Sequence, residues 1–392
     1  MSSILQSMTG YYESPKIVAL SINPPKGEAR GTMERVGSRR SILDDVRTFI
    51  RYRRPGVVHF AITNRCDSRC PTCRFWRHDE PRSVDLRDAC SAIDVLQEWG
   101  VRMLSITGGE PLLHPHLVDI CKRVARRGMM VSYLPTNGKN VTEELARDLA
   151  RAGVNIVGLS VDPLHAHEQH RTRDVGPGEV QEARKVLESQ GLRTYAGVLL
   201  TNHMVPISRV LETVGDLGFE RVVFSYPQTD EGTPYRASGQ HPMLDLGPGY
   251  VEEAVRQVKG AKRRFPVYNP EPMLDDLVRS YRGMPQRHPC LGGDRIFYLD
   301  WDLQLRRCFA EVTPLGHVLD MERPPRGNGT CTRCTQQAFR DMSYILGAYD
   351  RVRLMLDGIR PGGGRSSDGD GNGHSLTEDL GVLFQLYLGG FM

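Results

Sequence analysis

The sequence lacks long apolar runs and any marked excess of charge. Its apolar stretches, such as VVHFAI and GVLLT, are far shorter than the roughly 20 residues of a membrane-spanning helix, so we expect no integral membrane span. The start, MSSILQSMTGYYESPK, lacks the basic and apolar parts of a secretory signal, which predicts a cytoplasmic protein. A net charge of +4 argues against a nucleic-acid partner bound through many phosphates.

Cysteine, by contrast, is well represented, with nine residues in a chain of 392. Without an export signal, this number favours a reducing compartment and metal-binding thiols over disulfides. Cys90 and Cys121 lie on apolar faces of predicted helices and are predicted to be small core residues. The other seven form two groups: Cys66, Cys70 and Cys73, then Cys290, Cys308, Cys331 and Cys334.

Short apolar runs alternate with stretches of helical period between Val57 and Pro227. Such repeats indicate parallel strands joined by right-handed crossovers. Six units are too few for a closed eight-fold barrel. We therefore predict an α/β fold, a partial (β/α)6 TIM-like barrel with its chemistry at the C-terminal ends of the strands.

The first cysteine group, in the sequence CDSRCPTC, follows the first predicted strand. A [4Fe–4S] cube has four irons, and a protein normally supplies one thiolate to each. Three cysteines leave one iron open, as a catalytic zinc site keeps an open position. A ligand with an amine and a carboxylate, such as the amino-acid end of S-adenosylmethionine (SAM), has the right shape for that position. A zinc knuckle or structural thiols are the competing interpretation.

This C-x3-C-x2-C loop resembles the signature of the radical SAM superfamily, and the strand and helix order over residues 57–227 agrees with it. The resemblance implies a [4Fe–4S] cluster on Cys66, Cys70 and Cys73 that cleaves SAM reductively to a 5′-deoxyadenosyl radical. It also implies that the Gly-Gly-Glu motif, at the end of the second strand, binds the SAM ammonium. The SAM-contact residues that it assigns in this chain are Gly108, Gly109, Glu110, Asn137, Ser160, Asp162, Arg173 and Val198.

The chain departs from the family pattern just before the third cysteine. The family usually has an aromatic residue there, and this chain has Thr72. Phe75 and Trp76 follow, and we expect them to supply the apolar cover over the cluster or adenine instead.

The second cysteine group, C-x17-C-x22-C-x2-C, satisfies either a [4Fe–4S] cube or a tetrahedral zinc. Residues 290–340 resemble the twitch-type auxiliary [4Fe–4S] domain, a shorter relative of the SPASM domain, which implies an auxiliary [4Fe–4S] cluster. Leu303 stands where that domain usually has glycine, so a different turn is expected there.

The predicted organisation is therefore an N-terminal extension with an amphipathic basic helix (1–54), the partial barrel (55–230), a helical connector (231–289), a small C-terminal iron–sulfur auxiliary domain (290–342), and a helix with a Gly-rich linker and tail (343–392).

The resemblance implies an enzyme that oxidises or otherwise tailors a small organic substrate, with a flavodoxin- or ferredoxin-type electron donor. The cysteine spacing is similar to that of aminocyclitol dehydrogenases. Adenosyl-radical addition to an alkene, as in hopanoid-type enzymes, and modification of a ribosomally made peptide remain alternatives. A non-enzymatic iron–sulfur or zinc-binding protein is the alternative from another class. An alcohol oxidation would need a general base, and four residues near the predicted strand ends are candidates: His203, Tyr226, Arg171 and His59.

Overall fold

The computed structural model describes residues 56–73, 75–78, 80–163, 171–227, 242–324, 327, 330–356 and 379. The predicted basic helix near the N-terminus, the Gly-rich linker and, apart from Asp379, the C-terminal tail lie outside these residues. Within the described ranges, no helix has both the length and the apolar composition needed to cross a membrane.

Parallel strands form the part of the chain that was predicted to be a barrel. These strands are β1 (Gly56–Thr63), β2 (Val101–Gly108), β3 (Met130–Tyr133) with β4 (Pro135–Thr136), β5 (Ile156–Val161), β6 (Arg193–Leu199) and β7 (Val222–Ser225). Neighbouring strands pair in parallel from β1 to β3 and from β4 to β7, and β4 follows β3 after one residue, Leu134. A hydrogen bond of 2.9 Å from the Gly158 amide to the Leu134 carbonyl joins the two sheets at this break. The predicted partial six-stranded barrel is confirmed.

Helices follow the strands as crossovers, and their caps are encoded locally. Asp85 and Thr142 accept backbone hydrogen bonds at the starts of the helices Leu86–Glu98 and Glu143–Arg151, as N-cap residues do. The apolar faces of these helices pack on the strands in one large core. The described helices are α1 (Leu86–Glu98), α2 (Leu117–Arg126), α3 (Glu143–Arg151), α4 (Pro177–Ser189), α5 (Ile207–Asp216), α6 (Pro248–Ala261), α7 (Glu271–Tyr281) and α8 (Gln337–Leu356).

The two faces of β1 pack against different partners. Val58 and Phe60 belong to the core on the helix side, whereas Val57 and Ala61 belong to a second core. The second core includes Cys290 and aromatic residues from the C-terminal part of the chain. Both faces of the strand are therefore buried, as is usual for parallel sheets.

The segment that carries the second cysteine group extends the barrel sheet. Its first strand, β8 (Ile296–Leu299), pairs in parallel with β1, and Ile296 stands opposite Val57. Two antiparallel strands, β9 (Gln304–Arg306) and β10 (Gly316–His317), complete the order β10-β9-β8-β1-β2-β3. The separation of residues 290–342 as a domain of their own stays a prediction, since their strands share a sheet with the barrel.

Candidate functional site

The first cysteine group lies in the loop after β1. Cys70 is buried, and its Sγ accepts a 3.4 Å hydrogen bond from the Asp174 amide. The Cys73 amide donates to the Cys70 carbonyl at 3.2 Å. Cys66 interacts electrostatically with the other two thiols, and burial is the main cause that raises its pKa to about 12. A thiol with such a pKa is protonated at neutral pH, so binding of iron must release its proton.

The Gly-Gly-Glu motif at the end of β2 lies directly on the backbone of this loop. The Gly109 amide donates to the Thr63 carbonyl at 2.9 Å, and the Glu110 amide donates to the Arg65 carbonyl at 2.8 Å. A Cβ atom on Gly108 would stand 2.2 Å from the Thr63 carbonyl oxygen, and one on Gly109 would stand 2.2 Å from that of Arg65. The two glycines therefore make room for the cysteine loop. Contact between the backbone of Gly108 and Gly109 and SAM stays a prediction.

The Glu110 side chain is buried at the meeting point of β2 and β4. Its Oε1 accepts hydrogen bonds from the Leu112 amide (3.0 Å) and the Thr136 hydroxyl (2.9 Å), and its Oε2 accepts one from the Asn137 amide (2.7 Å). Burial raises its pKa to about 7, and the three hydrogen bonds oppose part of this rise. A bound ammonium group would favour the charged form, because an opposite charge stabilises a carboxylate.

The Asn137 side chain contacts the cysteine loop, and its predicted contact with SAM stays a prediction. Its Nδ2 donates to Asp67 Oδ1 at 2.7 Å and to the Ser68 hydroxyl at 2.9 Å. Its Oδ1 accepts a hydrogen bond from the Lys139 amide at 2.9 Å. The side chain therefore fixes the loop between the first two cysteines, which is a positioning role.

Hydrogen bonds also join the cysteine loop to residues 172–174. Asp162, after β5, accepts hydrogen bonds at Oδ2 from the amides of Thr172 (2.7 Å) and Arg173 (3.4 Å). Thr72, in the family's aromatic position, is buried and donates to the Thr172 carbonyl at 3.0 Å. The Arg173 Nε atom is buried, and no described residue accepts a hydrogen bond from it. A buried donor of this kind fits a ligand carboxylate.

The remaining predicted contacts lie on β5 and β6. Ser160 is half-buried on β5 and stands opposite Gly197. The Val198 side chain is fully buried in the helix-side core, so only its backbone is available for the predicted adenine contact. Both contacts stay predictions.

The aromatic residues that follow the third cysteine lie against the C-terminal part of the chain. Phe75 is buried, and its ring meets the ring of Trp301 edge-on at 5.9 Å. Trp76 donates from Nε1 to the Cys70 carbonyl at 3.1 Å. Phe75 therefore provides apolar cover beside the loop, while Trp76 holds the loop backbone.

The second cysteine group is drawn together by backbone and side-chain contacts. The Cys290 amide donates to the Cys331 carbonyl at 2.7 Å, and Gln286 Nε2 donates to the Cys334 carbonyl at 2.9 Å. Cys334 interacts electrostatically with the other three thiols, and burial is the main cause that raises its pKa to about 12. Among the described residues, no three His, Cys, Asp or Glu side chains converge as closely as the ligands of one metal ion.

Leu303 adopts the conformation that glycine would supply at its position. Its φ is 57°, in the left-handed region, and its amide donates to the Asp300 carbonyl at 3.0 Å. The side chain is buried in the core, at 3 % exposure. Apolar burial of the leucine offsets a backbone cost of about 1–2 kcal/mol. The expectation that this turn differs from the family's turn stays a prediction.

Several residues that shape the site were not predicted from the sequence. Asp67, Ser68 and Thr136 make polar contacts with Asn137 or Glu110. The available signal was the placement of short polar side chains beside the first two cysteines and just after the third strand. Their partners could not be assigned without the strand register.

Comparisons with known proteins agree with this geometry. Residues 60–206 match the family described as the radical SAM superfamily. The chain is 28% identical over 280 residues to a probable GTP 3',8-cyclase of Methanococcus maripaludis, which covers 70% of this chain and 90% of the relative. It is 32% identical over 184 residues to the PqqA peptide cyclase of Streptomyces rochei, which covers 44% of this chain and 49% of the relative.

The fold also resembles a solved structure. The crystal structure of Streptococcus suis SuiB bound to precursor peptide SuiA superposes with a TM-score of 0.55 at 14% identity. The match covers 78% of this chain and 72% of SuiB. This likeness supports the fold.

Proposed function

Because this chain is a radical SAM enzyme, we propose that it binds SAM at a [4Fe–4S] cluster and tailors a small organic substrate by radical chemistry. When bound, the cluster and SAM supply a reductive cleavage that yields a 5′-deoxyadenosyl radical. The supporting observation is that the Cys66–Cys73 loop, the Gly-Gly-Glu motif and residues 172–174 are joined by hydrogen bonds at the ends of the barrel strands.

In this proposal some side chains bind the cluster and SAM, and others hold those side chains in position. Cys66, Cys70 and Cys73 would hold the cluster, and an ionised Glu110 would accept the SAM ammonium. Arg173 would donate its buried Nε–H to the SAM carboxylate, since that atom has no acceptor in the described part of the chain. Other residues keep these groups in place, as Asp162 does by holding residues 172 and 173.

We further propose an auxiliary [4Fe–4S] cluster on Cys290, Cys308, Cys331 and Cys334. Cys290, Cys308 and Cys331 pack in the second core, and the Cys290 amide donates to the Cys331 carbonyl at 2.7 Å, which supports one shared site. When bound there, the cluster would supply a one-electron acceptor, which suits oxidation of the substrate. A structural zinc is the competing occupant.

The electron donor and the location are proposed from the sequence. A flavodoxin- or ferredoxin-type protein would supply the electron, and the cytoplasm would be the compartment. The substrate is proposed to be a small molecule rather than a nucleic acid.

A peptide substrate is the second candidate. The Streptomyces rochei relative is named as a peptide cyclase, and SuiB was solved with a precursor peptide. The Methanococcus maripaludis relative is named for GTP instead, so the named relatives do not share one substrate class. Addition to an alkene has no support from these names, and the enzyme assignment overturns the non-enzymatic interpretation.

The test is anaerobic reconstitution with iron and sulfide, followed by dithionite and SAM. We expect 5′-deoxyadenosine to form over time with the wild-type protein and to be absent with Cys70→Ala. Cys121→Ala is the matched control, because Cys121 is buried in the helix-side core and should leave the reaction unchanged. A wild-type protein that binds a full cluster and yields no 5′-deoxyadenosine would contradict the proposal.

A further inference from the structure

Four polar side chains stand side by side across four neighbouring strands, and we call them the polar row. In the strand register, Tyr298 of β8 faces His59 of β1, His59 faces Ser105 of β2, and Ser105 faces Tyr133 of β3. Residues directly opposite each other on paired strands share one face of the sheet. Val58 and Phe60, on either side of His59, belong to the helix-side core, so the polar row lies on the other face.

Two members of the polar row have buried polar atoms that lack partners. His59 is 5 % exposed and Ser105 is 1 % exposed. Neither His59 Nε2 nor Ser105 Oγ makes a hydrogen bond with any residue in the described ranges. An unsatisfied buried polar group costs about 1–3 kcal/mol. Two such groups on adjacent strands therefore indicate a ligand that completes their hydrogen bonds.

The polar row lies between the two cysteine groups. The His59 ring is 5.4 Å from the ring of Phe309, the residue after Cys308, and 4.9 Å from that of Phe339. Towards its C-terminal end, β1 leads from His59 into the loop of the first cysteine group. A compound on the polar row would thus lie between the proposed radical centre on one side and Phe309 and Phe339 on the other.

The polar row is uncharged at neutral pH. Burial lowers the pKa of His59 to about 4, so its imidazole is neutral. Burial also raises the pKa of Tyr133 to about 12, so its phenol keeps its proton. Arg173 interacts electrostatically with Tyr133 at one end of the row, and it is the residue proposed for the SAM carboxylate.

We propose that the polar row is the floor of the substrate site and that it recognises a small uncharged compound through hydroxyl groups. A hydroxyl both donates and accepts, so it can pair with Ser105 and with either tautomer of His59. An alkene would leave the buried atoms unpaired. A phosphate would bring charge to a row of neutral side chains, and the neighbouring Arg173 is already proposed to bind the SAM carboxylate. This inference rests on the proposed function, which it narrows to a substrate class.

The test is equilibrium dialysis of the reconstituted, SAM-loaded protein against radiolabelled myo-inositol, with 1-hexene and triglycine as parallel probes. We expect saturable binding of myo-inositol, weakened about tenfold by Ser105→Ala or His59→Phe, since each removes one hydrogen bond. His59→Gln, which retains a polar atom near the Nε2 position, should restore part of the binding. Met103→Leu is the control, because Met103 lies two residues before Ser105 on β2 and is apolar.

Ser105→Ala keeps the test decisive if His59→Phe does not fold. Absence of myo-inositol binding, preference for 1-hexene or triglycine, or unchanged affinity in Ser105→Ala would each overturn the inference. Formation of 5′-deoxyadenosine by the wild type without any probe is measured in parallel. If it forms while myo-inositol does not bind, the substrate inference fails and the proposed function stands. If it does not form, the proposed function itself fails.

Discussion

The backbone amide of Glu110 donates a 2.8 Å hydrogen bond to the carbonyl of Arg65, the residue just before Cys66. This bond fixes the tip of β2 against the start of the cysteine loop. The carboxylate of Glu110 simultaneously accepts from the Asn137 amide at 2.7 Å. Glu110 thus connects the end of β2 to the cysteine loop and to the segment after β4. Its backbone amide bonds to the loop, and its carboxylate bonds to Asn137.

Replacement of Gly109 by alanine should break this arrangement. The added Cβ would stand 2.2 Å from the Arg65 carbonyl oxygen, so the two backbones would have to separate. We expect iron content at the first site and SAM affinity to fall at least about tenfold, because positioned ligands are lost. Gly178→Ala is the control, since no described atom lies within 4 Å of its Cβ position. Full iron content and SAM affinity in Gly109→Ala would contradict the contact.

Arg173→Met should weaken SAM binding without affecting ligands that lack a carboxylate. A charge-assisted hydrogen bond contributes about 1.5–3 kcal/mol, which corresponds to a tenfold or greater loss of affinity. We expect 5′-deoxyadenosine, which has no amino-acid part, to bind wild type and variant equally. Arg173→Lys should recover little, because lysine lacks the planar fork of donors. Calorimetry measures the affinity of wild type and variant for SAM and for 5′-deoxyadenosine. If Arg173→Met weakens the binding of both ligands equally, Arg173 does not bind the SAM carboxylate.

The two cysteine groups should load iron independently. We expect about eight irons in the wild type and about four in Cys70→Ala or Cys334→Ala, because each cube holds four. Cys121→Ala should retain the wild-type content. Iron, sulfide and zinc are counted together after anaerobic reconstitution. About four irons plus one zinc in the wild type would replace the proposed auxiliary cluster with a structural zinc.

Asp341 should make stability depend on pH in an unusual direction. It is 6 % exposed, and burial raises its pKa to about 7. Its Oδ2 accepts from Gln337 Nε2 (2.6 Å) and Asn269 Nδ2 (3.1 Å), while no described residue bonds to its Oδ1. The unfolded chain loses this proton near pH 4, whereas the folded protein retains it up to about pH 7. The contribution of Asp341 to the free energy of unfolding is therefore greatest at low pH and is lost as pH rises to 7.

Asp341→Asn removes this titration. Relative to wild type, the variant should gain about 3 kcal/mol between pH 5 and pH 8, from roughly two pKa units at 1.36 kcal/mol each. The urea midpoints of both proteins at the two pH values give the difference. Asp94→Asn is the control. Hydrogen bonds from Arg127 and Arg123 lower the Asp94 pKa to about 2, so its carboxylate is ionised throughout this range. The effect of Asp94→Asn should therefore be constant between pH 5 and pH 8, and an equally constant effect of Asp341→Asn would contradict the prediction.

The sequence was sufficient to predict the barrel and the edge that carries the site. Periodic apolar runs identify parallel strands, and the C-terminal ends of such strands meet at one edge, which brings Cys66, Glu110 and Asp162 together. The positioning contacts of Asp67 and Thr136 were not predicted, because they depend on how loops from different strands pack. The polar row was missed for the same reason. From the sequence His59 was a candidate general base and Ser105 was not singled out, and only the strand register makes the two residues neighbours.

The pairing of β8 with β1 has a consequence for how the chain is made. Val57 stands opposite Ile296, so the sheet that begins near the N-terminus gains this strand only after most of the chain has left the ribosome. Until then one edge of β1 is an open template for unrelated strands, which is a known aggregation hazard. Expression of a version truncated before residue 290 should thus yield insoluble material even though every residue of the first cysteine group is present. The C-terminal segment would then serve the barrel as an intramolecular chaperone as well as a candidate cluster carrier.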